Sequence, residues 1–509
     1  MPYIICPTFK YKKQKRKQED NMNRKIKAAA ASFMSAAMVL SMTACSEEGD
    51  PEITTYADYG PLTEYISTIV DDYKASLSGT KNADIEVTKK IKYLGWWAID
   101  ETQASAVLFK QVYGVPDEAS GSGIFDYTNV AYGDRYTKLT ALVTSGDSPD
   151  IFQFEMGNYP YTAAKDLFQP IDDVIDLNTP LWERNREIMD KFKWNGRDYC
   201  AITTINLDTL LWYRKSVIAE NNLDDPYELF KSGNWNWNTF LDMCAKFSNP
   251  DEGKYCIDGW AIPEKFVATT GVPMISLSSE GKLECNFYNA DIERCMTTVV
   301  DQMFKQNYRY PRHELNGWGI NQGNFVSGDT LFWGSLGYTI KDDFQGTFKR
   351  EGWEDGEMWC VPIPKDPNSD KYYQCMKNDS WMLCGGAQNK EGFAAWNLCC
   401  MDTAFDKEAE KVGDEQMMHN NLGFTQELLD HMRSLQFDGV LTPVFDFKNG
   451  IGQDVVEGTA DDPITSLTEH PYLDGKGGPD GADATFSSLR EANYGTVMDR
   501  IDKLNAGTI

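Results

Sequence analysis

Histidine is scarce in this chain: four in 509 residues, at His313, His419, His431 and His470, all far apart. No HxxxH or HExxH pair forms, so zinc chemistry of the metalloprotease kind has no ligand spacing to rest on. No GxSxG elbow supports a serine hydrolase either. CxxC is absent, and the Asp- and Gly-rich run from Asp474 to Asp483 does not have EF-hand spacing; it reads as a surface loop, with a metal loop as the alternative. Basic residues are outnumbered, 49 Lys and Arg against 77 Asp and Glu, for a net charge of −28. Such a surface repels phosphate backbones, which sets nucleic acid aside as a partner. Beyond the N-terminal region no apolar run is long enough to span a bilayer.

Twelve cysteines are present, but Cys6 and Cys45 lie in the N-terminal region and the other ten are scattered without tight spacing. Free buried thiols are the expectation. Cys399 with Cys400, or Cys375 with Cys384, could be oxidised in an exported protein, and spacing assigns no pairing.

The N-terminus is informative. Arg24, Lys25 and Lys27 precede an apolar run from Ala28 to Met42, which ends in Thr43-Ala44-Cys45. A charged flank, a short apolar segment and small residues make an export signal over 1–44, with 1–21 as an extension from a mis-called start. The run into Cys45 resembles the lipobox of bacterial lipoproteins, whose cysteine is acylated and becomes the first mature residue. Cys45 is therefore the expected lipid anchor, on the outer face of the cell membrane. Removing 1–44 takes away nine basic and two acidic residues, so the mature chain is still more acidic.

Residues 45–85 read as a polar tether and a leading helix with apolar positions at Leu62, Ile66, Ile69 and Tyr73, after which the folded lobes begin. A strand over Lys90–Trp97, a helix over Thr102–Tyr113, a strand over Phe125–Val130, a helix over Asp134–Val143 and a strand over Ile151–Phe154 follow. This alternation predicts α/β layers with parallel or mixed sheets, in which ligands sit at the carboxyl ends of strands. A closing helix is expected over Thr485–Leu504.

Several segments in order carry a resemblance. A helix followed by Ser145-Gly146-Asp147-Ser148-Pro149-Asp150-Ile151, then Trp194-Asn195-Gly196-Arg197-Asp198-Tyr199, Leu211-Trp212-Tyr213-Arg214-Lys215, Asn234 to Phe240, Phe325 to Phe332 and Val361-Pro362-Ile363-Pro364 are similar to the family 1 extracellular solute-binding proteins. The resemblance runs from about Lys90 to Met401 and departs from the family pattern at Arg197, Arg214 and Ala201-Ile202-Thr203. It implies an α/β, two-lobed periplasmic-binding-protein-like fold of type II, with the ligand in a cleft between lobes. Crossings near Thr204, Val361 and Thr403 would assign 86–204 plus 361–403 to one lobe and 205–360 plus 404–509 to the other. The implied function is capture of a small ligand, by default a mono- or oligosaccharide, through hinge closure, without catalysis or cofactor. The implied partners are an ABC permease pair and its ATPase, with the protein a monomer.

Sugars present apolar C–H faces that stack on aromatic rings and hydroxyls that need directional partners. The candidates are accordingly Trp96 and Trp97 after the first strand, of which period-two alternation lets one face the cleft, with Trp97 favoured. Phe154, Glu155, Asn158 and Tyr159 follow the third strand. Asn206 and Asp208 lie past the first crossing; Glu264 and Phe266 follow a strand near Trp260. Trp333 and Tyr338 bracket a turn, and Asp379 with Trp381 follows the second crossing. Each aromatic could equally be core. Trp235 and Trp237 are assigned to packing at a helix start, with Asn234 and Asn236 as caps. A carbohydrate-active enzyme needs only two carboxylates, and this acidic chain has many, so that class remains an alternative. A structural surface lipoprotein on the same fold is another.

Overall fold

In the computed structural model the chain divides into two units, Met1–Thr55 and Tyr56–Ile509. The structure describes residues 60–116, 121, 123–155, 158–260, 262–311, 320–335, 340, 344, 353, 355–420, 423–452 and 485–509. The export signal, Cys45, the polar tether, His313, Tyr338, His470 and the 474–483 loop lie outside them, as does the side chain of Glu264. No described helix is long and apolar enough to cross a membrane.

The chain enters through α1 (Gly60–Leu77), whose Leu62, Ile66, Tyr73 and Leu77 are buried at helical spacing. This corrects the expectation that the folded lobes begin after it. Tyr73 and Tyr113 share a hydroxyl hydrogen bond of 2.9 Å, which holds α1 against α2 (Ala104–Tyr113), and the Tyr65 hydroxyl donates to Asp406 at 2.7 Å. A stripe of large apolar residues on one helical face needs another element to cover it, and the neighbouring helices supply it.

Between α1 and α2 lies β1 (Ile91–Gly95); β2 (Phe125–Asn129), α3 (Arg135–Ser145) and β3 (Ile151–Gln153) follow α2. β1 pairs in parallel with β2 and β3, each reached through an intervening helix, the crossover that parallel pairing requires. Helix α3 stops at Gly146, whose φ of 79° is a left-handed cap suited to glycine. The Ser-Pro-Asp segment after it has a structural purpose. The buried carboxylate of Asp150 accepts from the backbone N–H of Lys92, Gln388 and Asn389, tying β1 to a later helix start.

β4 (Thr204–Leu207) lies where the first crossing was expected. It leads to β5 (Leu210–Arg214), α4 (Trp237–Phe247), β6 (Tyr255–Gly259), α5 (Ile262–Ala268), the β7 (Ile275–Leu277) and β8 (Leu283–Cys285) hairpin, β9 (Thr330–Ser335) and β10 (Met358–Val361). A second sheet forms in the order β10-β5-β9-β6. Val361, where the return crossing was expected, pairs with Leu211 inside this sheet. β11 (Tyr372–Asp379) runs antiparallel to β4, with Asn206 opposite Lys377 and Thr204 opposite Asp379. It runs into β12 (Trp381–Leu383), which completes the first sheet in the order β12-β3-β1-β2. Helices α6 (Lys390–Thr403), α7 (Lys407–Asn420) and α8 (Gln426–Phe437) follow; then β13 (Leu441–Val444) adds to β11, and α9 (Phe486–Ala506) closes the chain.

Helix α4 starts as expected: Asn236 caps it by accepting from the N–H of Asn238 and Thr239, and Trp235 and Trp237 are buried. Thr485 caps α9, which lies on β8 through paired hydrogen bonds between Asn505 and Leu283. The cysteines depart from expectation in one respect. Cys244 of α4 and Cys256 of β6 form a disulfide, whereas Cys375, Cys384, Cys399 and Cys400 are free. Facing positions on adjacent elements, invisible to spacing alone, bring the first pair together.

Candidate functional site

A cavity of about 530 Å³ opens where the end of the first sheet meets the crossing strands. Its floor is the polar face of the β4–β11 ribbon. Directly opposed residues in an antiparallel pair point to the same side, so Thr204, Asn206 and Asp379 face the cavity together. One wall comes from the first sheet: Trp97 just past β1, Gln153 at the end of β3 and Trp381 at the start of β12. The indole N–H of Trp97 donates to Gln153 Oε1 at 3.1 Å, and the Trp97 and Trp381 rings lie 6.0 Å apart. Ala104 and Ser105 at the N-terminus of α2 also line the cavity. The opposite wall belongs to α7 and α8.

That second wall is acidic. Asp406, Glu410 and Asp414 line it, with Arg433 reaching Glu410 at 3.2 Å and also bonding Asp414. Asp406 caps α7 through the N–H of Glu408 and Ala409. Burial, with Asp406 and Asp72 beside it, pushes the neighbouring Asp402 up to about 6. Burial likewise raises the pKa of Asp379.

Trp96 turns away from this cavity. Its ring packs on Tyr132 at 5.2 Å and on Phe152 at 6.0 Å. Glu155 is held by buried Arg135, Nε to Oε2 at 2.6 Å, and by the Tyr136 hydroxyl at 2.8 Å. Phe154 is buried against Tyr159 and Phe192, and the Tyr159 hydroxyl donates to the Phe192 carbonyl. Asn158 is buried beside a shallow surface groove with Tyr136 and Tyr161.

Asp208 shares the ribbon face but is spent internally. Burial would raise its pKa, yet the ammonium groups of Lys265 and Lys377 outweigh burial and hold it well below the usual carboxylate range. Asn206 accepts from Gln436 Nε2 at 3.0 Å. Phe266 is fully buried against Phe240, and Trp333 is fully buried against Phe325 and Phe344. The expected set therefore separates: Trp97, Asn206, Asp379 and Trp381 meet at one cavity, while Phe154, Tyr159, Phe266 and Trp333 pack in the interior. Glu264 lies within α5.

Some exposed or lining residues were missed. Gln153 follows from period two, since it sits two residues after Ile151 on β3. Trp260, 48% exposed just past β6, and Tyr132, 45% exposed after β2, are large rings left open at strand ends. Asp406, Glu410 and Arg433 carried no signal, because the resemblance ends before α7. His431 is buried, stacked on Trp359 and hydrogen-bonded to the Cys360 carbonyl; burial lowers its pKa and keeps it neutral. Among the described residues no cluster of His, Cys, Asp or Glu could hold a metal ion.

The sequence model of the family described as bacterial extracellular solute-binding protein matches residues 125–396, more than half of the chain. A comparison with curated proteins finds no match. Among solved structures, the chain is similar to an ABC substrate-binding protein from Listeria monocytogenes in complex with cycloalternan, at 14% identity and a TM-score of 0.55, over 83% of this chain and 99% of that one. The sugar-binding protein MalE from Xanthomonas citri matches at 15% identity and a TM-score of 0.55, over 81% and 98%. The GacH receptor of Streptomyces glaucescens, solved unliganded and with acarbose, matches at 14% and 0.52, over 81% and 99%. At these identities the likeness is one of fold, two-lobed and α/β.

Proposed function

The chain belongs to the bacterial extracellular solute-binding protein family, and from that premise we propose that it is an exported receptor, lipid-anchored through Cys45, that captures a mono- or oligosaccharide. It closes about the β4–β11 ribbon and a third connection after Thr403, and delivers the ligand to an ABC permease pair with its ATPase. The lobes would be 60–204 plus about 372–403, and 205–371 plus the remainder, with β11 as the return. Binding energy in the closed state is what a permease can sense.

The observation that carries this reading is the cavity in which Trp97 and Trp381 meet the polar ribbon face of Thr204, Asn206 and Asp379. Its volume suits a small ligand, its indoles suit the C–H face of a pyranose, and its amide and carboxylate groups suit hydroxyls. The cycloalternan, acarbose and sugar-binding neighbours give the same default.

A thermal-shift screen of the full-length protein in mild detergent, against sugars, oligosaccharides and amino acids, tests it. A ligand at 100 times its dissociation constant stabilises the folded state by about 2.7 kcal/mol. A saturable shift with one saccharide class, abolished in Trp97→Ala, is expected; no shift with any saccharide would overturn the reading.

A further inference from the structure

We propose that the captured saccharide carries a primary ammonium group, so that the ligand is an amino sugar, and that Asp379 receives that group. This rests on the saccharide reading above and narrows it.

Most enclosed aspartates among the described residues are satisfied. Asp150 accepts three backbone N–H groups, Asp208 holds two lysines, Asp366 pairs with Arg294 and Asp414 with Arg433. Asp446 accepts the N–H groups of Met274, Ile275 and Lys448. Asp379 and Asp402 are different, and of the two only Asp379 lines the cavity. The Asp379 backbone carbonyl accepts from Thr203, but its carboxylate has no hydrogen-bond or ion-pair partner among the described residues. It is half-buried, and it lines the cavity beside Trp381. A carboxylate removed from water without a partner is costly, and a ligand cation that supplies the partner recovers that cost.

The rest of the cavity agrees in sign. Asp406, Glu410 and Asp414 add negative charge, and Arg433 is already paired with two of them. Lys377, on the same ribbon face, is engaged by Asp208. An anionic sugar would find no uncommitted cation on this wall, whereas an ammonium group meets a carboxylate at Asp379 and electron-rich ring faces at Trp97 and Trp381.

Calorimetric titration of the full-length protein with glucosamine and its β-1,4-linked dimer, beside the N-acetylated forms, glucose and cellobiose, separates charge from shape. The free-amine forms should bind at least about tenfold tighter than their N-acetylated or hydroxyl counterparts at low salt, with the advantage shrinking as salt rises. In Asp379→Asn the ratio should fall toward one, and in Asp379→Glu it should persist. The Asn variant, which loses an unpaired, half-buried charge, should melt no lower than wild type, so a lost preference will not reflect unfolding. Equal affinity for amine and N-acetyl forms in the wild type, or a preference that survives in Asp379→Asn, would overturn the proposal while leaving saccharide capture standing. Absence of binding by every saccharide would overturn the saccharide reading and this inference together.

Discussion

In the second sheet the aromatic side chains Trp212, Phe332, Trp333 and Trp359 occupy strand interiors and are almost wholly buried. In the first sheet Trp97 follows a strand and is half-buried, Trp381 begins one and keeps 7% exposure, and both line the cavity. The residue type is the same and the position along the strand differs. A ring within a strand is covered by the helix layer packed on that face; a ring at the strand end projects past the layer. The second sheet therefore uses its aromatics for cohesion, and the first spends two of them on a surface that is useful only when something binds there. The charges divide the same way: Asp208 is locked between lysines, whereas Asp379, four register positions away on the same face, has none.

The sharpest way to break this contrast is to remove a ring from each sheet. Trp333→Ala, at a fully buried position, should lose about 3–5 kcal/mol of stability in a urea melt. A loss below about 1 kcal/mol would mean the second sheet is not held as its burial implies. Next, Lys265→Met leaves Asp208 with only half-exposed Lys377 and should cost about 3 kcal/mol at neutral pH. Asp208 has a depressed pKa in the folded state, so its contribution is present above the unfolded carboxylate value of about 4 and fades as pH falls below it. The gap between wild type and variant should close correspondingly in urea melts taken toward pH 3. Replacing Cys244 and Cys256 by alanine reopens a short loop between α4 and β6 and should cost about 2–3 kcal/mol, read as a lower melting midpoint that reductant no longer changes.

On the cavity side the effects belong to binding. Trp97→Ala should weaken the best saccharide by about tenfold or more with a smaller stability loss than Trp333→Ala, by calorimetry and melting of the same sample. The smallest effect is expected at Asp402, whose pKa burial and neighbouring acids raise to about 6. A raised carboxylate favours the folded state only while protonated, so its penalty appears as pH climbs from about 4 to 6. Asp402→Asn should therefore be slightly more stable than wild type at pH 7.5 and indistinguishable at pH 4.

Much of the first sheet was legible because its signals are local. The alternation at Ile91 and Tyr93, the glycine stop at Gly146 and the Ser-Pro-Asp turn each fix a neighbour a few residues away. The asparagine cap before Trp237 works likewise. The return crossing was expected near Val361 because Val361-Pro362-Ile363-Pro364 resembles the family's crossing segment. Its valine in fact pairs with Leu211 some 150 residues back, a relation that no local pattern carries. Phe266 and Trp333 were misleading for the same reason: a ring near a strand end is core or surface according to what packs over it, here Phe240, Phe325 and Phe344. The acidic wall of α7 and α8 was silent in the sequence, since its carboxylates look like any solvated helix face until Arg433 and the crossing ribbon enclose them.

The most direct test of the cavity as the binding site is calorimetric titration of the full-length protein with the best saccharide, in wild type and in Trp97→Ala/Trp381→Ala. One saturable site in the wild type, weakened at least about a hundredfold in a double variant that still unfolds cooperatively, is the result predicted. Affinity within about twofold of wild type in that folded variant would contradict it and move the site elsewhere in the protein.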